Sequence, residues 1–314
     1  MSVLDSRIIV VTGKGGVGKT TTCMALGMKA VNQGKRVLVM ETSGARHVPT
    51  VFGTHSDTYQ VCPVYLHPDV PHRAGLFTFS ITPEQAIEDF VVQQIRMQWL
   101  FDMVFGNRVM SSFVDAVPGL HDLVQLGKVF DMERQRDSDG RPSWDLLIVD
   151  APATGHGLFM LAAPRAMMDL TRKGPFHENA RLVHDVLSDP ERTSIVLVSL
   201  PEQLPVNETI QLMQGLDSSR KQVRACVVNE VLPAPPAPPE SWRDFRRRCT
   251  PDLSTDMEAA SDLVDQWYRL RTRQQEATLR LEETLNLPMT SLHYRFRRDL
   301  DVSDIIALSE GLSL

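Results

Sequence analysis

The 314 residues predict a doubly wound α/β fold, with a mainly parallel sheet and a helical subdomain inserted in it. Three observations carry that expectation. Short aliphatic and β-branched runs recur at Ile8 to Val11, Val37 to Met40, Trp144 to Asp150, Ser194 to Ser199 and Val223 to Val228, as expected of strands covered on both faces. Helically spaced segments separate them, which is the rhythm of βαβ units. Helical patterns also crowd about 83–135 and 157–190, so the subdomain is expected there, within one domain spanning 1–314.

The first strand, Ile8 to Val11, feeds a glycine-rich loop that ends in Lys19-Thr20, and a helix is expected from Thr21 to Asn32. Gly13, Gly18, Lys19 and Thr20 fit GxxxxGK[ST]. In that pattern backbone N–H groups wrap phosphates, the lysine reaches the terminal ones and the hydroxyl ligates Mg²⁺. The helix N-terminus adds its partial positive charge. Gly13, Gly15, Gly16, Val17, Gly18, Lys19, Thr20 and Thr21 are therefore the candidate binding set for a nucleotide with Mg²⁺. A glycine turn that merely joined strand to helix would not need Lys19.

Past the turn at Gly34, the strand Val37 to Met40 leads into Glu41 to Gly53, at the carboxyl end of the sheet where α/β folds bind ligands. Residues 54–74 read as a loop carrying a short strand, and Leu76 to Ile81 as the next strand. Thr82-Pro83-Glu84 opens a helix with a capping hydroxyl, a first-turn proline and an acid. That helix is expected to reach about Phe105, with another apolar segment at Val109 to Val117 and a helix from Leu120 to about Met132. The strand Trp144 to Asp150 ends in an acid. Helix resumes through 151–161, is expected to break or restart at Pro164, and runs to about Leu187. Beyond the strand at 194–199 come a helix at 206–216, a strand at 223–228 and the stiff run Pro233 to Pro239. A long amphipathic helix through Met257 to Leu285, a strand at Leu287 to Met289 and a terminal helix from about Val302 complete the chain.

A net charge of −6 argues against a general nucleic-acid footprint, so no nucleic-acid partner is expected. Arg243, Arg246, Arg247 and Arg248 read as a solvated helix face rather than a nucleic-acid site. No apolar run approaches the roughly 20 residues of a membrane span, and a cytoplasmic location is expected. The four cysteines, Cys23, Cys62, Cys226 and Cys249, form no ligand-spaced cluster and read as reduced thiols.

Lys14 makes the loop GKGGVGKT. This form resembles the P-loop ATPases that include MinD, ParA, the nitrogenase iron protein and the arsenite-pump and tail-anchored-protein-targeting ATPases. The resemblance implies a P-loop NTPase that binds ATP between two subunits, with Lys14 reaching the partner's nucleotide; otherwise Lys14 is a solvated loop lysine. The partner would be a second copy or a homologous ATPase. Asp150 stands where such ATPases hold a water on the metal that Thr20 ligates, or caps the following turn. Asp150 to His156 (DAPATGH) resembles the γ-phosphate-sensing second switch, DTAPTGH, of the arsenite-pump and targeting family. Ile81 to Phe90, Pro118 to Leu120, Pro201 to Thr209 and Val227 to Glu230 follow that family's order and spacing. By the same match Asn229 would contact adenine; an asparagine after a strand is also a common turn residue. The loop after Met289 lies where the family closes over the base.

The first switch departs from the family. It normally reads STDPAHNLSDAFG, and alignment on Phe52-Gly53 puts Ser43 at the water-polarising aspartate and Thr50 at the later one. A serine is a poor proton acceptor near neutral pH. Glu41 and His47 are the nearby substitutes. The paired-cysteine zinc motif of the eukaryotic targeting factors is missing, and the arsenite-binding cysteines find no matching positions, which disfavours arsenite transport. The resemblance thus implies a slow, dimeric ATPase switch with catalytic Lys14, Lys19 and Asp150; the alternative is a non-hydrolysing ATP-binding subunit that pairs with a catalytic homologue. Met97, Met103, Met110, Met160, Met167 and Met168 either fill the core or line a groove for a hydrophobic helix client, as in the targeting ATPases.

Overall fold

The computed structural model describes residues 2–70, 73–95, 119–152, 156–235, 237–249 and 255–313. Its first unit is the expected one: β1 (Ile8–Gly13), the phosphate-type loop, α1 (Lys19–Asn32) and β2 (Arg36–Glu41). A five-residue helix, α2 (His47–Val51), follows β2, then β3 (Cys62–Leu66), β4 (Gly75–Ser80) and α3 (Pro83–Ile95). The chain continues through α4 (Leu120–Arg134), β5 (Leu146–Asp150), α5 (His156–Leu170), α6 (Pro175–Ser188), β6 (Thr193–Ser199), α7 (Gln203–Gly215) and β7 (Val223–Val231). It closes with α8 (Pro239–Cys249), α9 (Thr255–Leu285), β8 (Met289–His293) and α10 (Val302–Gly311).

The sheet order is β3-β4-β2-β5-β1-β6-β7-β8. Every described pairing is parallel except β3 with β4. The fold is therefore the doubly wound α/β arrangement of a P-loop NTPase. β3 is an edge strand that carries Pro63 and shifts register between Pro63 and Tyr65, both tolerated there because proline cannot donate to a ladder. The period-2 alternation of β1 sends Ile8 and Val10 to one face and Ile9 and Val11 to the other. The first face is covered by α4, α5, α6, α7 and the end of α9, the second by α1 and α10. At about 1.5 to 3 kcal/mol for each fully buried aliphatic side chain, these two faces hold the strand ends that build the site. Among the described residues, α4 packs on α3, α5 and α6.

Two expectations need correction. Pro164 does not break the helix, since α5 runs through it from His156 to Leu170. Proline removes one backbone bond there, a cost offset by burying Met160, Ala163 and Met167. The break falls instead before α6, where Gly174 adopts φ 103 and Pro175 opens the new helix. The strand expected at Leu287 to Met289 starts at Met289, because Asn286 takes the left-handed φ 49 and Pro288 has no N–H to give a ladder. The helix expected to reach Phe105 is described to Ile95, and the segment at 109–117 lies outside the described residues.

Candidate nucleotide site

Register at the carboxyl end of the sheet brings the site together. Asp150 on β5 pairs with Val11 of β1 on one side and with Glu41 of β2 on the other. Three strands thus deliver the loop, an acid and the first switch to one place. A cleft of ≈ 660 Å³ opens there, lined by Gly16, Gly18, Lys19, Thr20, Thr21, Met24, Ser43, His47, Thr50, Val51, Asp150, Ala151, Pro152, Arg298, Asp299 and Leu300.

The loop needs glycine for two separate reasons. Gly18 has φ +84, and a Cβ on it would lie 2.0 Å from Asn229 Nδ2. Asn229 reaches in from β7, and its Nδ2 donates to the Val17 carbonyl at 3.0 Å. At Gly13 a Cβ would strike the Val198 carbonyl of β6 at 2.3 Å. The loop therefore lies against backbone and amide on its inner side, while Gly16, φ +82, faces open space. Asn229 is buried under the loop and is not among the residues lining the cleft.

Lys19 Nζ donates to the Lys14 carbonyl at 2.9 Å, which curls the loop round its own ammonium. Burial lowers the Lys19 pKa, and the Asp150 charge opposes that shift. Thr20 Oγ1 donates to Asp150 Oδ2 at 2.5 Å. Burial raises the Asp150 pKa against the Thr20 hydrogen bond and the nearby Lys19 charge. A hydroxyl and a carboxylate converging beside an ammonium form a hard oxygen donor set suited to Mg²⁺ next to phosphate. The residues present fit that pair.

Lys14 is engaged inside its own subunit. Its Nζ bonds Glu208 Oε1 of α7 at 2.6 Å, and both side chains are partly exposed. Glu208 is a partner that sequence reasoning missed. Two hundred residues separate the partners, roughly, and no local pattern in a single sequence announces such a pair.

The first switch sits opposite. Glu41 is 1% exposed. Its Oε1 accepts the N–H of His47 at 2.8 Å and of Val48 at 3.4 Å, and its Oε2 accepts the Thr78 hydroxyl at 3.4 Å. Burial pushes its pKa up to about 7, with the Asp150 charge adding to the rise. Glu41 does not line the cleft; His47, Ser43 and Thr50 do. Thr42 ties the switch to its surroundings, its hydroxyl donating to the Asp150 carbonyl at 2.7 Å and its carbonyl accepting Gln125 Nε2 of α4 at 2.8 Å.

The sequence matches the profile of the anion-transporting ATPases over residues 6–174 and 170–251. The chain belongs to that family. Relatives include ATPase BagA of Mycobacterium tuberculosis, 29% identical over 235 residues, which cover 73% of this chain and 66% of that protein. The chain thus spans somewhat less than two thirds of the mycobacterial relative's length. The ATPase ASNA1 homolog of Entamoeba dispar is 26% identical over 262 residues, 72% of this chain and 76% of its own. ATPase GET3 of Lachancea thermotolerans is 25% identical over 261 residues, 71% and 72% of the two chains.

Family membership agrees with the motif readings at 13–21 and 150–156. Of the second switch, 153–155 lie outside the described residues, and α5 starts at His156. Met160 and Met167 are buried and Met168 packs against the core, whereas Met97, Met103 and Met110 lie outside the described residues. The arginines of α8 are ion-paired in part, Arg246 to Asp262 at 2.6 Å and Arg247 to Asp244 at 3.5 Å, which suits a solvated helix face. Cys23, Cys62 and Cys226 are free thiols. Among the described residues no helix is long and apolar enough to cross a membrane, and no group of three or more His, Cys, Asp or Glu could hold a metal.

Proposed function

We propose that this chain is a Mg²⁺-dependent, ATP-binding switch that hydrolyses ATP slowly and works as a dimer in the cytoplasm, either with itself or with a homologous ATPase. The supporting observation is the meeting of Lys19, the Thr20 hydroxyl and the Asp150 carboxylate in the lining of one cleft, beside a loop whose Gly13 and Gly18 leave no room for a side chain. Lys19 holds the terminal phosphates, the loop N–H groups of Gly13 to Thr21 wrap them, and Thr20 with Asp150 holds Mg²⁺. The metal, when bound, offsets phosphate charge. Asn229 braces the loop through its bond to the Val17 carbonyl and, by the family resemblance, would contact the adenine. Lys14 would leave Glu208 to meet the partner's nucleotide when two subunits close. The helices of the 83–190 region are the part that would handle a hydrophobic helix.

A second reading is a non-hydrolysing subunit that binds ATP in order to pair with a catalytic homologue. Ser43 favours it, since an exposed hydroxyl lines the cleft where the family's first switch has a carboxylate. One experiment separates the two readings: ATP binding and single-turnover hydrolysis with Mg²⁺, beside Lys19→Ala and Lys14→Ala, with molecular mass followed throughout. Turnover with an ATP-dependent dimer supports the first. Tight binding without turnover supports the second, and no ATP binding removes both.

A further inference from the structure

We propose that His47 is the first-switch residue that meets the terminal phosphate, and that Glu41 is the positioning residue that holds it there. This rests on the nucleotide reading above and assigns the part of the cleft that the missing aspartate leaves unexplained.

Glu41 and His47 were the two candidates for replacing that aspartate, and their surroundings divide the work between them. Glu41 is closed off from the cleft. Both carboxylate oxygens are engaged, one by two N–H groups at the start of α2 and the other by Thr78 of β4. A carboxylate used in this way cannot also orient a water in the cleft. What it can do is fix α2, because two of the backbone donors that a helix start leaves unpaired find their acceptor on it.

The fixing decides what the helix shows. Val48 and Pro49 are buried beneath α2, and His47, Thr50 and Val51 line the cleft. Positions i, i+3 and i+4 share one helix face. Pinning the N–H groups of His47 and Val48 therefore sets the rotation of the whole short helix, and with it the direction of the imidazole. His47 lines the same cleft as Lys19, Thr20 and Asp150. Of the three polar switch residues in the cleft, Ser43, His47 and Thr50, it is the one with ring nitrogens, which can donate to a phosphate oxygen or accept from a water. Glu41 was thus the right residue type for a different task.

The test follows the imidazole of His47 by NMR, assigned by its disappearance in His47→Gln, with Mg²⁺ and either ADP or the slowly hydrolysed analogue ATPγS. The resonance is expected to shift with ATPγS and stay at its ADP position without the third phosphate. His47→Gln should lower the preference for ATPγS over ADP at least fivefold. Glu41→Ala is expected to lose the shift and to lower the preference for ATPγS over ADP about as far as His47→Gln does, and Glu41→Gln, whose amide oxygen still accepts an N–H, to retain part of both. If Glu41→Ala does not fold, Glu41→Gln alone decides by whether the shift is reduced. An identical His47 resonance in ADP and ATPγS overturns the proposal while leaving nucleotide binding standing. So does a full shift in the Glu41 variants. Failure of the native protein to bind either nucleotide overturns the reading beneath it as well.

Discussion

The two walls of the cleft are built by opposite means. The phosphate loop is shaped by close approach: Gly13 lies against the Val198 carbonyl and Gly18 against the Asn229 amide, so that atoms a side chain would carry have no room there. The first switch is shaped by a buried acid: Glu41 gathers the start of α2 and a strand hydroxyl onto one carboxyl group. Steric shaping tolerates few residues and leaves a recognisable string. Electrostatic shaping tolerates many and leaves none, which is why one wall matches a motif and the other does not.

The sharpest way to break this contrast is Gly18→Ala. A Cβ 2.0 Å from Asn229 Nδ2 at φ +84 should cost about 2 to 4 kcal/mol, combining αL strain with a displaced amide, and should abolish measurable ATP binding by calorimetry. The pair Gly18→Ala with Asn229→Ala should recover stability in thermal melts, though not the αL part of the cost. Lys19→Ala comes next. Losing charge-assisted bonds to phosphate should weaken ATP binding roughly 100-fold, with the circular dichroism and melting temperature unchanged.

The switch should answer to pH where the loop does not. Glu41 titrates near 7 when folded, against the ordinary carboxylate value of 4.5. A raised folded pKa means that the native state favours the protonated form. Its contribution is complete below about pH 4.5 and is lost as pH rises toward 7. Glu41→Gln escapes that loss, so its unfolding free energy should match that of the native protein near pH 4.5 and exceed it by about 2 to 3 kcal/mol at pH 8. Urea titrations at the two pH values measure the gap, and an equal difference at both would show that Glu41 is not strained by its burial. The smallest effect is expected from Glu208→Gln. An ion pair with both partners partly exposed contributes less than about 1 kcal/mol. Its removal should barely move the melting temperature, while freeing Lys14 should lower the ATP concentration needed for any change in molecular mass.

How much of this was legible follows the same division. The buried strands β1, β2, β5 and β6 read directly from their aliphatic runs, because covering both faces of a parallel sheet leaves no place for polar residues. Lys19, Thr20 and Asp150 read from spacing and strand ends. The work of Asn229 could not be read, since a bond from β7 to the loop depends on two strands meeting across the sheet order. Glu208 was hidden for the same reason. Pro164 misled because a proline's local cost is visible in sequence, and the burial that offsets it is not.

The edge strand β3 has a consequence for how copies of this chain can meet. A free strand edge is an open template on which another chain can add a strand, leading to swapped or fibrillar assemblies. β3 is short, antiparallel to its neighbour, marked by Pro63 and out of step beside it. That rim offers an incoming strand a broken row of donors and acceptors, so extension of the sheet from one molecule into the next is blocked on this side.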